Sequence, residues 1–167
     1  VLVASTKLGS MEQTVATPAD PVVLLLEDSI SRVQWLRKHT RTSRINLVWV
    51  TSVTAFREAL EEYAGNIALI VLDHDIPEMK YEDDDIPEGL SVPKYYDDGL
   101  NGLDAARSIP ASYKGDVLVW SWNTSGALAM IEDLERREIL CLRDPFTTSS
   151  HYEDSVREAI AFFRSHH

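Results

Sequence analysis

Five short apolar runs alternate with stretches of helical spacing along this chain. The runs are Val22-Val23-Leu24-Leu25-Leu26, Leu47-Val48-Trp49-Val50, Ile67-Ala68-Leu69-Ile70-Val71-Leu72, Val117-Leu118-Val119-Trp120 and Ile139-Leu140-Cys141-Leu142. Short continuous apolar runs bounded by polar residues predict strands, and the six-residue run Ile67–Leu72 reads as one covered on both faces, as in parallel sheets. Between them, apolar residues recur at three- and four-residue spacing. Ile30, Val33 and Leu36 predict a helix through about Thr40, capped by Asp28 or Ser29. Val53, Phe56, Leu60 and Tyr63 predict a second, capped by Thr51 or Ser52. Leu103, Ala106 and Ile109 mark a third, and Leu128, Ile131 and Leu134 a fourth over about 124–137. Val156, Ile160 and Phe163 mark a last helix from about Tyr152 to Phe163. Five βα units predict an α/β, doubly wound domain: a parallel sheet, helices on both faces, right-handed crossovers.

Residues 78–101 break the rhythm. Glu82-Asp83-Asp84-Asp85, Pro87, Pro93 and Asp97-Asp98-Gly99 predict a long inserted polar loop. A loop of this length inside a domain is usually functional or disordered. Asp83-Asp84-Asp85 reads as a solvated loop, or as a lid lending a carboxylate to a site at the end of the third strand. The ends are set aside. Residues 1–20 read as tag and flexible lead-in, with Gly9-Ser10-Met11 resembling a cloning scar, and residues 164–167 as a tag remnant. The domain is expected over 21–163.

Two strand endings carry acid. Glu27-Asp28 closes the first run and Asp73-His74-Asp75 the third. Open α/β sheets bind ligands at the carboxyl ends of their strands. If these two strands are neighbours, three or four carboxylates converge. A pair about 4 Å apart repels by roughly 4 kcal/mol at an effective dielectric of about 20. A divalent cation or a raised pKa relieves such a group. Glu27, Asp28 and Asp73 are therefore predicted ligands of Mg²⁺ or Mn²⁺, with Asp75 completing the shell. Hard cations take oxygen ligands, and Mg²⁺ keeps waters that a phosphate can displace. His74 reads either as a general acid or base or as a hydrogen-bonded packing residue, because strand alternation turns it away from Asp73. Ser121 and Asn123 share one side of their strand end. They read as phosphate contacts, or as strand termination and helix cap. Trp120 and Trp122 fall on the opposite parity, where packing is expected rather than base stacking.

Charge and cysteine content narrow the partners. The 167 residues carry a formal charge of −11. That opposes a nucleic-acid or lipid-headgroup surface, which needs basic patches. A small phosphorylated ligand remains, reached through a metal. Cys141 is the single cysteine; it predicts a buried small hydrophobe and excludes a disulfide framework. No apolar stretch has membrane-spanning length and no secretory signal pattern is present, so the cytoplasm is the expected compartment.

Taken in order, these marks resemble the receiver domain of two-component signalling. The acidic pair Glu27-Asp28 follows strand one. Asp73 ends strand three, four residues before Pro77. Gly102 opens the next helix, Ser121 ends strand four, and Pro145-Phe146 follows strand five. The resemblance implies a flavodoxin-like sheet in the order 2-1-3-4-5, a bound Mg²⁺, and Asp73 as a nucleophile that becomes an aspartyl phosphate. Two departures stand out. The receiver lysine before the strand-five proline is Asp144 here, leaving Arg143 as the replacement phosphate contact. The 78–101 insertion is foreign to ordinary receivers. Leu72-Asp73-His74-Asp75-Ile76 and Trp120-Ser121-Trp122-Asn123 further resemble motifs of the cyclic-phosphate processing receiver family, whose usual strand-four histidine is Trp120 here. That resemblance implies a metal that activates water or polarises phosphorus.

Three functions follow. The first is a metal-dependent phosphoesterase for a cyclic phosphate, with Asp73, His74, Ser121, Asn123 and Arg143 as catalytic candidates. The second is a stand-alone response regulator phosphorylated on Asp73 and signalling through a protein partner. The third is a degenerate receiver serving as an interaction module. Receiver-like faces often dimerise, so a homodimer belongs to the expectation.

Overall fold

All five predicted strands form in the computed structural model. It describes residues 20–40, 44–76 and 95–144, with Tyr81, Ile86, Leu90, Ser91, Pro93, Asp154, Arg157, Glu158 and Ala161. The elements run β1 Val22–Leu26, α1 Ile30–Thr40, β2 Asn46–Val50, α2 Val53–Glu62, β3 Ile67–Leu72, α3 Gly102–Ser108, β4 Asp116–Val119, α4 Thr124–Arg136 and β5 Cys141–Arg143. The strands make one sheet in the order β2-β1-β3-β4-β5, and every pairing is parallel. This is the flavodoxin-like order expected of the chain.

Burial explains the order. Every residue of β1 and β3 is buried, as their continuous apolar runs require of central strands. Side chains alternate across the sheet. Leu24, Leu26, Ile70 and Leu72 join Phe56, Ala105 and Met130 in one core layer. Val23, Leu25 and Val71 join Val33, Leu36, Trp49 and Trp120 in the other. Each fully buried aliphatic side chain contributes about 1.5–3 kcal/mol.

The edge strand departs from its predicted character. β5 has three residues, and Leu140 and Leu142 are exposed. Among the described residues β5 pairs with β4 alone. Cys141 is accordingly half-buried, not the fully buried hydrophobe expected. Leu128 also faces outward, since α4 buries Gly126, Ala127, Met130 and Leu134 instead. The rotation follows from Gly126, where an added Cβ would meet the His74 ring at 2.3 Å.

Pro77, Asp83-Asp84-Asp85, Pro145-Phe146, the apolar face of the last helix (Val156, Ile160, Phe163), the lead-in and the tag remnant lie outside the described residues. Among the described residues, no helix is long and apolar enough to cross a membrane.

Candidate functional site

The site begins with strand adjacency. Leu26 of β1 pairs with Leu72 of β3, so Glu27 and Asp73 emerge side by side. The Asp73 amide donates to the Leu26 carbonyl at 3.0 Å, and the Trp120 amide to the Leu72 carbonyl at 2.8 Å. Carboxylate oxygens of Glu27, Asp28 and Asp73 lie within 4.8 Å of one another. The convergence predicted for Glu27, Asp28 and Asp73 is thus present.

Glu27 also shapes the entry to α1. Its Oε1 accepts the amides of Asp28 at 3.1 Å and Ser29 at 2.9 Å. Its carbonyl accepts the Trp49 indole N–H at 2.7 Å, and the Tyr81 hydroxyl donates to the Asp28 carbonyl. Burial pushes the Glu27 carboxyl up to about 9; the nearby Asp73 charge pushes the same way and Arg32 opposes them. Burial likewise raises the Asp73 carboxyl, against hydrogen bonds from Ser121 and the His74 amide and the Arg32 charge.

Arg32 is the residue that sequence reasoning missed. Its Nη1 donates to Asp73 Oδ2 at 2.8 Å, to Glu27 Oε2 at 3.0 Å and to the Trp120 carbonyl at 3.3 Å. Its guanidinium carbon stands 5.7 Å from the ring centroids of both Trp120 and Trp122. No local signal pointed to it, since its bonds to Asp73 and Trp120 reach 41 and 88 positions along the chain.

Asp75 stands one step from the cluster and pairs with His74. The His74 Nδ1 lies 2.7 Å from Asp75 Oδ1. That bond, with help from Asn123, holds Asp75 below the usual carboxylate range. Asn123 Nδ2 donates to Asp75 Oδ1 at 2.9 Å while Asn123 Oδ1 accepts the Gly126 amide and caps α4. The His74 ring packs on Gly126, is hydrogen-bonded, and borders the cleft. Gly102 packs behind Asp73 and His74. Its amide donates to the His74 carbonyl at 2.9 Å, and a Cβ there would meet the Asp73 carbonyl at 2.2 Å.

These groups line one cleft of about 840 Å³. Asp28, Arg32, Asp73, His74, Asp75, Ser121 and Asn123 all face it. Trp120 is core, whereas Trp122 is 68 % exposed and lines the cleft. The described end of the insertion reaches it through Tyr95, Tyr96 and Asp98. Asp98 accepts the Thr54 amide at 2.7 Å and the Leu100 amide at 3.1 Å. Burial would raise the Asp98 carboxyl, but these amides outweigh it and lower it. Arg143 is placed elsewhere: it donates to the Thr124 hydroxyl at 3.0 Å and is not among the cleft residues. The replacement phosphate contact expected on β5 is thus turned toward α4.

Solved structures share this fold. The signal receiver domain of a Luxo repressor protein from Vibrio parahaemolyticus superposes with a TM-score of 0.55 at 18% identity, over 88% of this chain and 95% of that one. A response regulator receiver protein from Pseudomonas putida gives 0.54 at 19% identity, over 87% and 99%. A chain of the CheX-CheY-BeF3-Mg+2 complex from Borrelia burgdorferi gives 0.55 at 14% identity, over 85% of this chain and 87% of that one. No family model matches the chain, and no curated protein matches it. The fold is that of receiver domains.

Proposed function

We propose that this domain is a metal-dependent phosphoesterase acting on a small cyclic phosphate. The observation that carries the reading is the His74–Asp75 pair, 2.7 Å apart, in the cleft that Asp28 and Asp73 also line, with Glu27 buried beside them. An aspartyl phosphorelay needs no such pair; ester hydrolysis needs a positioned proton carrier.

Three carboxylates within 4.8 Å fit a hard divalent cation such as Mg²⁺ or Mn²⁺. Bound there, the ion would polarise the phosphoryl group and acidify a water. The protein's own groups do the rest. Ser121 and Asn123 border the same cleft and orient the phosphate. Asp75 fixes the His74 ring through Nδ1, leaving Nε2 for proton transfer. Water forms the new O–P bond, one cyclic ester P–O bond breaks, and the water proton passes through His74 to the departing oxygen. The product is an acyclic phosphate monoester.

A second reading keeps Asp73 as phospho-acceptor. Arg32 favours it, because its cation beside Asp73 replaces the charge that a receiver lysine carries where this chain has Asp144. The test is direct. With Mg²⁺ present, a 2′,3′-cyclic nucleotide and acetyl phosphate are offered separately to wild type and Asp73→Asn. Hydrolysis of the cyclic phosphate by wild type alone supports the esterase. An acid-labile adduct on Asp73 from acetyl phosphate, without hydrolysis of the ester, overturns it in favour of the phosphorelay.

A further inference from the structure

We infer that Arg32 and a divalent cation are alternative occupants of one position between Glu27 and Asp73, so that metal binding releases the arginine. The inference rests on the metal-dependent reading above for its purpose, but its geometry involves no substrate.

A single nitrogen carries the argument. Arg32 Nη1 touches Asp73 Oδ2 at 2.8 Å and Glu27 Oε2 at 3.0 Å. It therefore stands where a cation bonded to these two oxygens would stand. Mg²⁺ holds its oxygens at about 2.0–2.1 Å and cannot share that point with a guanidinium. Two cations in contact there would also repel strongly, since Glu27 is fully buried and Asp73 nearly so. The chain has supplied from its own helix the charge that the acidic cluster demands.

Arg32 also has somewhere to go. Its guanidinium already lies 5.7 Å from two indole rings. Trp122 is 68 % exposed at the cleft, so a shift toward it displaces little packed structure. Aromatic faces hold a cation there without the carboxylates. From that position the guanidinium shares the cleft with Ser121 and Asn123. Its planar fork suits two phosphate oxygens at once. Metal and phosphate should then bind cooperatively, each strengthening the other by the same factor.

The experiment is calorimetry with Mg²⁺ and inorganic phosphate as probes, on wild type and Arg32→Met. Methionine keeps an apolar stem against Trp120 and removes the charge. The expected result is Mg²⁺ affinity about ten-fold or more higher in Arg32→Met, with phosphate binding lost. Equal or weaker Mg²⁺ binding by the folded variant overturns the inference while leaving the esterase reading standing. Absence of Mg²⁺ binding in both proteins overturns both. A second measurement needs no variant. NMR exchange of the Arg32 guanidinium protons should be slow without metal and fast with saturating Mg²⁺. Unchanged protection under saturating metal sinks the proposal independently of whether Arg32→Met folds.

Discussion

β3 and β5 end alike in sequence, an apolar run closing on charged residues, yet the sheet treats the two endings oppositely. β3 lies between β1 and β4, and Leu72 and Asp73 are both buried. Among the described residues β5 pairs with β4 alone, Leu142 is 57 % exposed, and the half-buried Arg143 leans on Thr124. A charged residue at a central strand end is desolvated among its neighbours, and its proton and charge become chemically useful. The charge at the edge, on Arg143, is only partly desolvated. That difference explains why the cation of this site comes from α1, as Arg32, and not from β5.

The widest gap between the two regions should appear in turnover. His74→Ala is expected to lower kcat for a cyclic phosphate by about 10²–10⁴-fold. Arg143→Ala should leave kcat unchanged in the same assay. A loss with Arg143→Ala comparable to that of His74→Ala would break the comparison.

Stability should divide the same way. Leu72→Ala deletes a fully buried side chain of β3 and should cost about 2–5 kcal/mol in urea unfolding. Leu142→Ala on the exposed edge should stay within about 0.5 kcal/mol.

Gly102→Ala probes the packing behind the central site. Its Cβ would meet the Asp73 carbonyl at 2.2 Å, against backbone that cannot step aside. A loss of about 1–3 kcal/mol is expected, together with weaker Mg²⁺ binding. Full stability would show that α3 can shift away from β3 freely.

A further contrast concerns pH. Glu27 is raised from 4.5 to about 9 in the folded protein, chiefly by burial. The folded state then holds a proton that the unfolded chain releases. Its stabilising contribution is complete below about pH 4.5 and is lost as pH rises through about 9. Glu27→Gln should remove this slope, so thermal melts of the variant and wild type should diverge across that window. Since a metal ligand must give up its proton, Mg²⁺ should also bind more tightly to wild type as pH rises through the same range. A pH-independent melting difference would place Glu27 in a more solvated setting than its burial indicates.

Legibility in the sequence followed locality. β1 and β3 were readable residue by residue, because full burial leaves an unbroken apolar run. The half-burial of Cys141 was not legible, since Ile139 to Leu142 says nothing about the strand's place at the edge of the described sheet. The acids Glu27, Asp28 and Asp73 were legible as strand endings. Arg32 was not, because its contacts with Asp73 and Trp120 span 41 and 88 positions of the chain. Trp122 was assigned to packing by parity alone, and the strand ends before it, where alternation no longer applies.

The order of apolar and polar residues by itself determined the alternation of strands and helices, the parallel sheet and the presence of acid at two strand ends. Those are consequences of local periodicity and burial, which are written along the chain. Only the tertiary structure decided which cation meets the acids, that His74 couples to Asp75 and Asn123 across α4, and that Arg143 stays outside. Those contacts depend on strand order, helix rotation and the close approach permitted at Gly102 and Gly126, which arise when distant segments meet.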